Sequence, residues 1–87
     1  MTAVFPPVRD DCATQAAVLM LVLATRPNLL ALEELIREMV ADPDDFAERD
    51  GVERAVRDLI GAGLLHRSGE LVLPTRAAVH FHRLEVT

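Results

Sequence analysis

Apolar residues recur at three-four spacing in two stretches of the chain, and each stretch predicts an amphipathic helix with one face turned inward. Val52, Ala55, Val56, Leu59 and Ile60 form the longer stripe, on a helix from about Glu48 to Ala62 that Gly63 ends by taking the left-handed conformation. Leu32, Leu35, Ile36 and Met39 form the other, on a helix from Leu32 to about Val40, with Glu33, Glu34, Arg37 and Glu38 outside the stripe. An earlier helix is predicted from about Cys12 to Thr25, with Asp10 and Asp11 as its caps and Pro27 as its stop. Ala17 to Ala24 contains no polar residue, so this helix should be covered on both sides. Between the second and third helices, Asp42-Pro43-Asp44-Asp45-Phe46 breaks the chain. The spacing predicts a single turn there, with Phe46 pointing into the core.

After Gly63 the pattern changes. Leu64-Leu65-His66-Arg67 and Glu70-Leu71-Val72-Leu73 flank Ser68-Gly69, a glycine-containing pair suited to a tight hairpin loop. That loop would set Arg67 opposite Glu70 and Leu65 opposite Val72. Leu29 and Leu30 are placed to add a short strand beside the hairpin, and Pro74 closes its second strand. Thr75 is positioned to cap a last helix over Arg76 to Leu84 that buries Ala77, Ala78, Phe81 and Leu84. A strand remains the alternative there, because Val79 and Phe81 alternate with His80 and His82. One domain over residues 12–84 is expected, with an arm over 1–11 and a tail over 85–87.

Composition narrows the class. Hydrophobic residues make up 51% of the 87, enough for a single modest core. Cys12, the one cysteine, can make no internal disulfide, which fits a reducing compartment. Met1-Thr2-Ala3-Val4-Phe5 lacks the basic-then-apolar order of a secretory signal. The apolar run from Ala16 to Ala24 is far shorter than the roughly 20 residues a bilayer needs. A soluble cytoplasmic protein with no membrane partner is therefore expected. All 9 basic residues are arginine, a coding bias of GC-rich bacterial genomes, and the net charge is −5.

Enzyme chemistry finds no footing in the chain. It has no nucleophile motif, glycine-rich phosphate loop or H-E-x-x-H pair, so no catalytic residue and no cofactor is expected. Cys12, His66, His80 and His82 lack the close spacing of a metal-ligand pair, and no metal site is expected either. For Cys12, burial as a small apolar residue is the expectation.

Three segments carry a family resemblance. Leu-Ala-Leu-Glu-Glu-Leu-Ile at 30–36, the helix-plus-glycine text from Val52 to Leu65, and Val-Leu-Pro-Thr-Arg-Ala-Ala at 72–78 resemble bacterial winged helix-turn-helix proteins. The resemblance covers roughly residues 12–84. It implies a mainly α fold with a small β-hairpin wing, a three-helix core and a short C-terminal helix. It further implies a third helix that docks in the major groove of duplex DNA and a wing that reaches the backbone or minor groove. Carried onto this chain, the candidate DNA-binding residues are Arg49, Glu53, Arg54 and Arg57 on the helix and Arg67 on the wing.

Two features depart from the family pattern. About seven residues separate the second and third helices where three or four are usual, and they include Asp42, Asp44 and Asp45. On the third helix, Arg49 to Glu53, Asp50 to Arg54, Glu53 to Arg57 and Arg54 to Asp58 all stand at the four-residue spacing that pairs charges. The first function to expect is thus a dimeric DNA-binding transcriptional regulator. Its alternative is a winged-helix interaction module that meets a basic protein partner and does not bind DNA. The all-apolar first helix points to a homodimer interface at Val18, Leu19, Val22 and Leu23.

Overall fold

A computed structural model describes residues 7–86. Val4 and Phe5 of the predicted arm lie outside the described residues. Helix α1 spans Pro7–Thr25, β1 Leu30–Ala31, α2 Leu32–Met39 and α3 Phe46–Gly61. Strands β2 (Leu65–Ser68) and β3 (Leu71–Pro74) follow, and α4 (Arg76–Val86) is the last described element. The architecture is mainly helical with a small three-stranded antiparallel sheet in the order β1-β3-β2.

Local chemistry sets most of the boundaries. Helix α1 is already formed at Pro7, the first described residue, ahead of the acidic pair expected to cap it. Asp10 and Asp11 therefore lie within the helix. Glu34 reaches back to the Ala31 amide at 2.9 Å and so closes the start of α2. Asp45 caps α3 by accepting from the Glu48 amide at 3.1 Å, which starts the helix at Phe46. At its other end Gly63 has φ +83°, and Leu64 N–H donates to the Leu59 carbonyl at 2.9 Å, the long bond of a Schellman termination.

Thr75 joins two elements. Its hydroxyl donates to the Gly63 carbonyl at 2.8 Å and accepts from the Ala78 amide at 3.2 Å, so one side chain caps α4 and ties it to the end of α3.

The core is one cluster at the meeting of α1, α2, α3 and the sheet. Val18, Val22, Leu35, Ile36, Val56, Leu59, Leu65 and Val72 are all buried in it. Each such aliphatic side chain contributes about 1.5–3 kcal/mol when removed from water. Helix α1 packs most extensively on α3 and also meets β3 and α2.

Four expectations are corrected here. The hairpin pairs Arg67 with Val72 and Ser68 with Leu71, so Gly69-Glu70 forms its loop and Arg67 does not face Glu70. Gly69 at φ +61° takes the first loop position while Glu70 keeps a negative φ, the pattern of a type II′ turn. Phe46 is 78% exposed instead of buried. It lies six residues before Val52, about 120° around the helix from the inward stripe. Segment 76–84 is helix, yet α4 meets the body through Ala78, Val79 and His82, which turns Phe81 and Leu84 outward at 60% and 63% exposure and leaves Ala77 exposed. Cys12, expected to be buried, is exposed.

Candidate docking face on the third helix and the hairpin

Helix α3 turns Val52, Ala55, Val56 and Leu59 into the core, which directs Asp50, Arg54, Arg57 and Asp58 to solvent. The sequence spacing predicts that these charges pair along the helix. Among the described residues none of the four intrahelical pairs is within ion-pair distance. Three of the charges reach across to neighbouring helices instead. Arg49 meets Glu33 of α2 at 3.2 Å, and Arg54 meets Asp11 of α1 at 3.3 Å. Gln15 of α1 donates to Asp58 at 3.4 Å. Residues 33, 11 and 15 carry no sequence signal for these roles, because their spacing to α3 exists only once the helices are packed.

The five candidate residues divide accordingly. Glu53 and Arg57 of α3 come together with Arg67 and Gly69 of the hairpin, around a groove of about 500 Å³ floored by Leu32, Val56 and Ile60. Arg67 donates to the Gly69 carbonyl at 3.1 Å, which folds its guanidinium back over the hairpin loop. The groove edge thus carries two cations and one carboxylate. Arg49 and Arg54 are outside this groove, each held by its carboxylate.

The α2–α3 connection is built from its own acids. Asp42 accepts from the Asp44 amide at 3.0 Å through its side chain and from the Asp45 amide at 2.9 Å through its carbonyl. Asp42 and Asp44 remain exposed, and Phe46 follows them in the chain as the exposed first residue of α3.

Helix α1 corrects the expected dimer residues. Val18, Val22 and Leu23 are buried and Leu19 is half-buried within the single chain, where α1 packs on α3, β3 and α2. Among its described residues the large hydrophobic turned outward is Met20, 50% exposed. Met20 lines an apolar groove with Phe81, Ala78 and Leu64, and two of the predicted interface residues, Leu19 and Leu23, line it as well. Leu84 of α4 is also exposed.

Among the described residues no group of three or more His, Cys, Asp or Glu is arranged to hold a metal ion. His66 and His80 are exposed and His82 half-buried. No described helix is long and apolar enough to cross a membrane.

No family model, curated protein or solved structure matches the chain.

Proposed function

We propose that the chain is a winged helix-turn-helix domain of a bacterial cytoplasmic transcriptional regulator, which docks on duplex DNA through α3 and the β2–β3 hairpin. The observation that carries this reading is the convergence of Arg57 and Arg67 on one groove between a helix and a hairpin wing. An α-helix can enter the major groove, and an arginine on an adjoining hairpin can meet phosphate once it leaves the Gly69 carbonyl. The contact is non-enzymatic and needs no cofactor. With a net charge of −5 the chain gains nothing from its overall field, so affinity rests on these few guanidinium groups. A homodimer would present two such faces to two half-sites, and Met20, Phe81 and Leu84 supply the exposed apolar surface for it.

A second reading is favoured by one specific feature. Phe46 is exposed at the start of α3, directly after a connection that carries Asp42, Asp44 and Asp45, an aromatic anchor near acids in the chain that suits a basic protein partner. Salt-dependent binding to generic duplex DNA distinguishes the two readings. The first requires binding that Arg57 and Arg67 carry; the second requires none.

A further inference from the structure

A larger groove lies away from α3, where the end of α1, the turn into β1, the end of β3 and the start of α4 meet. Its volume is about 740 Å³, and its floor is apolar, formed by Val22, Leu30, Val72 and Val79. That volume falls in the range of pockets that hold small molecules, roughly 300–1,000 Å³. The rim is cationic. Arg26 comes from the end of α1, while Arg76 and Arg83 come from α4, seven residues apart and so nearly superposed on one face, with His80 between them.

The charge arrangement is the informative part. In a chain of net charge −5, three of its 9 arginines line this one groove, and none of the described lining residues is acidic. Arg49 and Arg54 are held by carboxylates across helices, whereas Arg37, Arg57 and Arg67 have no described ion pair. No described carboxylate is within ion-pair distance of Arg26 or Arg76. Two exposed arginines at the rim of an apolar floor, without a described counter-charge, are complementary to a ligand that brings both an apolar body and an anion. Asn28, also on the rim, offers an amide donor to a second oxygen.

We propose that this groove binds a small amphipathic carboxylate, its apolar body on Val22, Leu30, Val72 and Val79 and its carboxylate between Arg26 and Arg76. The proposal is independent of DNA binding, since none of these residues belongs to the α3–hairpin groove.

The test titrates the full chain with 1-naphthoate and, separately, with 1-naphthylmethanol, following backbone amide shifts by NMR. Naphthoate should saturate with a Kd below about 1 mM, shift the amides of Leu29, Leu73 and Val79, and bind at least about tenfold tighter than the uncharged alcohol. Arg26→Gln combined with Arg76→Gln should weaken naphthoate about tenfold while Arg57→Gln leaves it unchanged. Both changes are at exposed side chains, and the acid-against-alcohol comparison on the unaltered chain stands whether or not the variant folds. Equal affinity for acid and alcohol, shifts centred on Met20 and Phe81, or no saturable binding would overturn the proposal. So would displacement of naphthoate by a short Glu/Leu peptide binding more tightly, which would assign the groove to a protein partner.

Discussion

Arg49 of α3 is held 3.2 Å from Glu33 of α2, and its helical neighbour Glu53 is left to face the hairpin. The pair keeps a cation at the edge of the docking face engaged with its own protein. Glu33→Gln should release it. Both side chains retain solvent contact, so the change should cost less than about 1 kcal/mol of stability. Affinity for duplex DNA at low salt should rise about two- to fivefold, as the freed guanidinium neutralises one more phosphate. Fluorescence anisotropy on a generic duplex measures it, and an unchanged or lower affinity would remove Arg49 from the docking surface.

Leu59 and Phe46 occupy one helix with opposite environments. Leu59 is buried against the core, and Leu59→Ala should cost about 2–5 kcal/mol in denaturant melts. Phe46→Ala should change stability by less than about 0.5 kcal/mol, because its ring is already in water. A large loss from Phe46→Ala would mean that the ring is packed in solution, and the basic-partner reading would lose its anchor.

The order of elements was legible because each is specified locally. Val52-Ala55-Val56-Leu59, Leu35-Ile36, the cap at Thr75 and the termination at Gly63 need only neighbours in the chain. Details that depend on how elements meet were not legible. Which of two adjacent pairs forms the hairpin loop turns on whether Gly69 takes the first or second loop position, and sequence spacing admits both. Phe81 and Leu84 share an apolar stripe on α4, but the rotation of that helix is set by Thr75 bonding to Gly63, a bond between residues twelve apart. The charges of α3 pair across helices for the same reason. Arg26 and Arg76 carry no motif, and only folding brings them to one groove.

Self-association should follow the exposed apolar surface of α1 and α4 and avoid the buried face of α1. Phe81→Glu with Met20→Glu should convert a dimer of twice 9.6 kDa to a monomer in sedimentation at low micromolar concentration, with the fold intact by circular dichroism. A monomeric unaltered chain at that concentration would rule the dimer out.

The salt dependence of binding to generic duplex DNA, measured for the unaltered chain and for Arg57→Ala with Arg67→Ala, tests docking through α3 and the hairpin most directly. Measurable binding at low salt that weakens steeply as salt rises is the expected result. In the double variant, affinity should fall and the log–log slope should flatten by about two, one for each phosphate that no longer meets a guanidinium. Binding whose salt slope is the same in both proteins, or no binding by the unaltered chain at low salt, would contradict this mode of docking.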